Sequence, residues 1–233
     1  MIVVLRNDVT SPPALLEAVL RVRDLPYRVV CLDRGEPVPG PEGVGALVAL
    51  GGAMGAYEVE EYPFLAEEQR LLATAVDRGV PVLGLCLGCQ LLADALGGRA
   101  YRAERPECVF APVELTAAGH DDPVAASLEG RRVVRMHQDT WDLPPGASLL
   151  AEGGGFHQLF RLGSGLGVQP HPEVTAELVV SWLDMGADRK LAHASGTDPD
   201  LLAGELRRAR GDMRETAKRF FGAWLDEVRA VVV

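Results

Sequence analysis

The chain lacks most of what would place it outside the cell, in a membrane or on nucleic acid. Four cysteines in 233 residues (Cys31, Cys86, Cys89 and Cys108) do not make a disulfide framework, so a reducing cytoplasm is the expected compartment. No apolar run approaches the roughly 18 residues that span a bilayer. The opening Met1-Ile2-Val3-Val4-Leu5 has neither the basic flank nor the length of a signal peptide. Lys and Arg number 23 against 33 Asp and Glu; the net charge of −10 argues against non-specific binding to nucleic acid or an anionic membrane. There is no internal repeat, no low-complexity tract and no Walker-type glycine loop. What remains has the composition of an ordinary globular chain and a length suited to one large α/β domain.

The first half alternates apolar runs with helical patterns. Strands are predicted at Ile2–Leu5, Arg28–Leu32, Ala46–Leu50 and Val82–Leu85. A helix capped by Ser11, with Pro12 at its first position, is predicted to about Arg23. Others are predicted from about Pro63 to Arg78, and after Cys86 as far as Gly97-Gly98. Strand, helix, strand at this spacing implies parallel pairing with both faces of the sheet covered. In the middle, Val109–Leu115, Arg132–Met136, Ser148–Ala151, Gln158–Leu162 and Gly167–Gln169 read as short, partly antiparallel strands added to the same core. Helices come next at about Val174–Asp184, Asp198–Arg210 and Asp212–Val228. Gly186–Asp200 is the weakest stretch for regular structure, and Val228–Val233 is an apolar tail. The expected fold is α/β, a three-layer sandwich on a mainly parallel sheet with extra antiparallel strands. It forms a single domain over 1–233, with a core to about 185 and a helical extension over about 186–233.

Four constellations carry chemistry. Pro81-Val82-Leu83-Gly84-Leu85-Cys86-Leu87-Gly88-Cys89-Gln90 places Cys86 at a sharp strand-to-helix turn. A helix N-terminus there favours the thiolate, and the same turn exposes the serine of nucleophile-elbow hydrolases. A buried core thiol is the plain alternative. Gly51-Gly52 ends a strand, where the backbone approaches a ligand closely; an N–H from that loop together with the Leu87 N–H would hold an oxyanion. In Gln169-Pro170-His171-Pro172-Glu173, residues two apart in an extended segment share a side. His171 can therefore take a thiol proton while Glu173 orients its far nitrogen. The alternative is a solvated histidine on a surface turn, and His137-Gln138-Asp139 is a second candidate. Finally, Cys86-Leu87-Gly88-Cys89 is a C-x-x-C spacing. It is readable as a redox dithiol in which Cys89, one helical turn on, resolves an oxidised sulfur. It lacks the two further ligands a tetrahedral zinc site needs, and no cofactor is expected. Cys31 and Cys108 read as core residues.

Together the elbow, the glycine pair and the His-Pro-Glu segment resemble the class I (triad) glutamine amidotransferases with their flavodoxin-like fold. Their order along the chain agrees. Asp122-Pro123, Met136-His137-Gln138-Asp139-Thr140 and Leu143-Pro144-Pro145-Gly146-Ala147 are similar to the GMP synthase glutaminase domain and its stand-alone relatives. The resemblance implies that Cys86 attacks the side-chain amide of glutamine, that His171 and Glu173 complete the triad, and that Gly52 and Leu87 form the oxyanion hole. It also implies that Met54, Gln90 and Asp139 bind substrate. Ammonia would leave, and water would release the γ-glutamyl thioester. A γ-glutamyl hydrolase or peptidase with the same triad is the alternative.

Two positions depart from the family pattern. Ala53 stands where many relatives carry proline, implying a looser oxyanion loop, and Cys89 stands where other residues are usual. The stretch after Asp184 is too short for a synthetase domain, so ammonia would pass to a separate synthetase subunit or to none. The C-terminal helices are available for a homodimer face, for docking a partner or for covering the sheet.

Overall fold

The computed structural model describes residues 1–232, with side chains through Ala230; Val233 and the last apolar side chains of the tail lie outside the described residues. The first half runs β1 (Ile2–Arg6), α1 (Ala14–Val22), β2 (Tyr27–Cys31), β3 (Ala46–Ala49), α2 (Phe64–Asp77), β4 (Val82–Leu85) and α3 (Leu87–Ala95). Then come β5 (Arg99–Pro112), β6 (Glu114–Leu115), α4 (Ala117–Asp121), α5 (Pro123–Ala126), β7 (Arg132–Asp142), β8 (Ser148–Gly153), β9 (Phe156–Leu162) and β10 (Gly165–Val168). Four helices end the chain: α6 (Ala176–Leu183), α7 (Gly186–Ala194), α8 (Pro199–Arg208) and α9 (Arg210–Val232).

The main sheet has the order β2-β1-β3-β4-β10-β9-β8-β6. Its first five strands are parallel and the rest antiparallel. Side chains alternate between faces with period two, and both faces are dry. Ile2, Val4, Ala46, Val48, Leu83 and Leu85 share a core with Leu16 and Leu20 of α1 and Phe220, Phe221, Trp224 and Leu225 of α9. Val3, Leu5, Leu47, Ala49 and Val82 pack instead on Leu65 and Leu72 of α2 and Leu91 and Leu92 of α3. This is why the strands read as unbroken apolar runs. The result is three layers, and the carboxyl ends of β1, β3, β4 and β10 meet at one edge, where α/β sheets bind ligands.

Three expectations need correction. Ser11 does not cap the first helix, which starts at Ala14 without a side-chain cap. The Leu15 N–H donates instead to the Glu173 carbonyl at 2.8 Å, so a partner distant in sequence replaces the local cap. The middle strands do not all join the main sheet: β5 and β7 are long and form their own two-stranded antiparallel ribbon. The stretch from Gly186 also contains a regular helix, α7. Its sequence lacks a side-chain N-cap, but Ala192 is buried among Cys108, Met136 and Trp182, with Leu191 packed beside them; packing supplies what local propensity does not. Among the described residues no helix is long and apolar enough to cross a membrane.

Candidate active site

The Cys86 turn is built by two glycines. A Cβ at Gly84 would lie 2.4 Å from the Gly88 carbonyl oxygen, and one at Gly88 would lie 2.2 Å from the Ala49 carbonyl oxygen. Strand β4 and helix α3 therefore touch backbone to backbone, and α3 rests directly on β3. The cost falls on Cys86, with φ 52° and ψ −108°, a conformation that strains a non-glycine residue by roughly 1–3 kcal/mol. The Cys86 N–H to the Val168 carbonyl (2.9 Å) and the Gln90 N–H to the Cys86 carbonyl (3.1 Å) hold it there. Gly88→Ala is expected to destabilise the fold by about 1–3 kcal/mol through overpacking. Thermal unfolding reads this directly; an unchanged midpoint would mean that the contact yields.

His171 lies just beyond β10 and is fixed by its N–H to the Val134 carbonyl at 2.8 Å. Its Nδ1 lies 2.7 Å from Glu173 Oε1, with both side chains buried. The Trp182 ring meets the imidazole edge-on at 5.3 Å and donates its own N–H to the Thr10 carbonyl. Burial works to lower the His171 pKa, but the charge of Cys86, the Glu173 carboxylate and hydrogen bonds to both outweigh it, so the imidazole sits well above its usual value. A Cβ placed at Gly51 would lie 3.4 Å from His171 Cε1 and 3.6 Å from Cys86 Cβ, so thiol, imidazole and glycine loop converge. A thiol bonded to an imidazole whose far nitrogen faces a carboxylate is competent for nucleophilic acyl transfer.

The glycine loop packs onto the elbow. A Cβ at Gly52 would come within 2.6 Å of Met54 Sδ and 2.8 Å of Leu87 Cδ2. Leu87 is the first residue of α3, so its N–H has no intrahelical acceptor. The looseness expected from Ala53 is offset. Its N–H donates to Asp8 Oδ2 at 3.3 Å, a tether that proline could not make, and the Gly55 N–H donates to Glu58 Oε2 at 2.8 Å.

A cleft of about 560 Å³ opens over these groups, lined by Gly52, Met54, Cys86, Gln90, Asp139 and His171 among others. Leu87 and Glu173 stand behind it. Gln90 is largely engaged inside the protein, its amide donating to the Asp139 carbonyl (3.3 Å) and Gln169 Oε1 (3.4 Å). The Asp139 side chain accepts from the Tyr57 hydroxyl at 3.1 Å, and burial raises its carboxyl pKa.

Several contributors are not legible in the sequence. Gln169 Nε2 donates to Cys86 Sγ at 3.6 Å; its place two residues before His171 on an extended segment is the available signal. His137 has an acid after all. Its Nε2 is 2.9 Å from Glu107 Oε2 and its Nδ1 is 2.9 Å from the Asp139 carbonyl, while Arg135 and Gln158 hold Glu107 from other sides. That buried cluster braces Asp139 rather than meeting Cys86. Cys89 is fully buried in the apolar layer. Burial, then the charge of Cys86, push its thiol well above the usual range, which makes it a poor resolving thiol. Cys108 is buried as expected and Cys31 only partly. Among the described residues no group of three His, Cys, Asp or Glu could hold a metal ion.

The chain matches the family model described as glutamine amidotransferase class-I over residues 38–179. It is 37% identical over 137 residues to GMP synthase [glutamine-hydrolyzing] of Thermomicrobium roseum, covering 58% of this chain but only 24% of that protein's length. To the putative glutamine amidotransferase-like protein YfeJ of Salmonella typhimurium it is 33% identical over 164 residues, 68% of each chain. A crystal structure of a glutamine amidotransferase from Thermotoga maritima aligns with a TM-score of 0.81 at 29% identity, covering 97% of this chain and 96% of the other.

Proposed function

The chain belongs to the class I glutamine amidotransferases, and from that premise we propose that it hydrolyses the side-chain amide of glutamine through a Cys86 γ-glutamyl thioester. The observation that carries this reading is the run from Cys86, at φ 52°, through His171 to Glu173 at 2.7 Å. In this scheme the Cys86 sulfur attacks the amide carbon as the carbonyl oxygen gathers charge against the Gly52 and Leu87 N–H groups. His171 carries the thiol proton to the departing ammonia, then takes a proton from the water that cleaves the thioester. Glu173 holds His171 with Nε2 toward the sulfur and stabilises the imidazolium. Met54 and Asp139 bind the amino-acid end of the substrate, with Gln90 setting the Asp139 backbone and the Gln169 amide.

The ammonia is handed to a separate synthetase subunit, a reading supported by the small share of the Thermomicrobium roseum GMP synthase that this chain spans. Residues 1–233 act as one amidotransferase domain in which the C-terminal helices are integral, since α9 shares a core with β1 and α1.

One observation favours a second reading. The cleft continues past His171 and Trp182 to α7, where Asp188, Lys190 and Leu191 line it. Ammonia as leaving group needs no such wall, whereas a γ-glutamyl amide of a larger amine would use it. Ammonia release from glutamine, measured beside amine release from a panel of γ-glutamyl amides, decides between the two. Turnover of glutamine above the panel supports the amidotransferase; amides of larger amines far ahead of glutamine would transfer the assignment to a γ-glutamyl hydrolase. A diazo-ketone glutamine analogue should label Cys86, and label on Cys31 or Cys108 instead would remove the mechanism.

A further inference from the structure

Beneath the glycine loop lies a buried polar pair that this chemistry does not use. Asn7, just beyond β1, and Glu68, in the second turn of α2, are both without solvent exposure. Neither lines the cleft. The Asn7 amide donates to the Leu50 carbonyl at 3.1 Å and to Glu68 Oε1 at 3.3 Å. Asn7 is also the floor under the loop, its Cβ lying 3.4 Å from where a Cβ of Gly52 would stand.

The Leu50 carbonyl stands at the last fixed point before the loop. The register of β1 with β3 ends at the Leu5–Ala49 pair, and two glycines come directly after Leu50. Peptide planes flanked by glycine turn easily, so an N–H at Gly52 keeps its direction only if the segment is tied on both sides. Asp8 ties the far side through the Ala53 N–H, and Asn7 ties the near side through the Leu50 carbonyl.

The state of Glu68 bears on that near tether. Asn7 Oδ1 and Glu68 Oε2 are both buried without a hydrogen-bond partner in the protein. A carboxylate here would be an uncompensated charge: the groups that act on it are the surrounding burial and the Asn7 amide, and no charged side chain bears on it among the described residues. A neutral acid brings a proton that one of the two orphaned oxygens can accept, and burial pushes the Glu68 carboxyl up to about 8.

We propose that Asn7 and Glu68 are positioning residues for the oxyanion loop, a neutral carboxyl on Glu68 keeping the Asn7 amide on the Leu50 carbonyl. The proposal rests on the reading of Gly52 as an oxyanion donor. Ionising Glu68 at alkaline pH puts a bare charge behind the loop and loosens it.

The test takes Glu68→Leu, Asn7→Ala and Glu68→Gln from pH 6 to pH 10, measuring kcat and KM for glutamine and the rate of Cys86 alkylation by iodoacetamide. Alkylation at carbon needs the sulfur but not the oxyanion hole. Glu68→Leu and Asn7→Ala should lower kcat by a factor between about ten and a thousand, the upper bound being the loss of one donor. KM and alkylation should stay within about twofold. Glu68→Gln, neutral at every pH and able to donate, should recover most of that kcat and hold it above pH 8, where the parent falls. Linkage adds a sign. A carboxyl whose folded value is raised gives stability that is present below its unfolded value and lost as pH rises through the folded one. The thermal midpoint of Glu68→Gln relative to the parent should therefore climb from about pH 4.5 to about pH 8.

Parent kcat in Glu68→Leu, or a kcat loss matched by an equal loss of alkylation, would overturn the proposal. Should Glu68→Leu fail to fold, the Glu68→Gln profile decides alone, and one superimposable on the parent's overturns it. Failure of the underlying reading looks different: glutamine turnover would then survive Cys86→Ala.

Discussion

Cys86→Ala is expected to cut ammonia release from glutamine by at least about 10⁴-fold. Removing the nucleophile of a triad leaves only the binding and oxyanion contributions, and comparable deletions elsewhere cost about 10⁶ in kcat. The variant should otherwise be an ordinary folded protein. Alanine meets the same positive φ at the elbow as cysteine does, and the Gly84 and Gly88 contacts that shape the turn are untouched. Binding of glutamine, read by calorimetry, should persist within a fewfold, because the groups proposed to hold its amino-acid end lie on other elements. Residual turnover within a hundredfold of the parent would mean that the sulfur is not the nucleophile.

Glu173→Gln carries the second largest expected effect, a fall in kcat of about 10²- to 10⁴-fold with KM little changed. The side chain keeps its size, but its amide can turn its NH₂ toward His171 Nδ1. The ring would then carry its proton on Nε2 and face the thiol with a donor instead of an acceptor. The Glu173 carbonyl that caps α1 is backbone and is unaffected, so the fold should survive. The pH dependence has a definite sign. The folded His171 pKa is raised above the unfolded value, so its ion-pair stabilisation is fully present below about 6.5, the ordinary histidine value, and is lost as pH rises through the folded one. Removing the carboxylate removes one of the raising causes, so in Glu173→Gln the loss should begin at lower pH. Thermal midpoints across pH, with imidazole resonances monitored by NMR, would show it. A titration of His171 unmoved by the substitution would show that Glu173 does not set the state of the ring.

The residues that make the elbow are legible because their signal is local. An apolar strand, then glycine, cysteine and glycine, needs only neighbouring residues to be recognised, and the backbone contacts at Gly84 and Gly88 explain why no other residue type fits there. His171 and Glu173 are legible for a similar reason: two prolines hold a five-residue segment extended, which places both side chains on one side. The parallel spine is readable from runs buried on both faces. Past that point local signals mislead. Ser11 and Pro12 look like a helix start, yet the cap is the carbonyl of Glu173. Gly186–Ala194 looks irregular, yet Leu191 and Ala192 dock on the β5–β7 ribbon and make it a helix. That ribbon reads as short strands of the main sheet because its pairing spans residues far apart in sequence.

The sequence by itself determined the type of chemistry available, a cysteine set on a turn with a histidine and a carboxylate in order behind it, because those properties depend on residue identity and near spacing. Tertiary structure alone decided how that chemistry is tuned. Gln169 beside the sulfur, Glu107 behind His137, Asn7 and Glu68 beneath the glycine loop, and α7 across the cleft come from separate elements. Burial and hydrogen-bond partners at each are fixed only when the sheet, the ribbon and the C-terminal helices close on one another, and no short window of sequence contains that information.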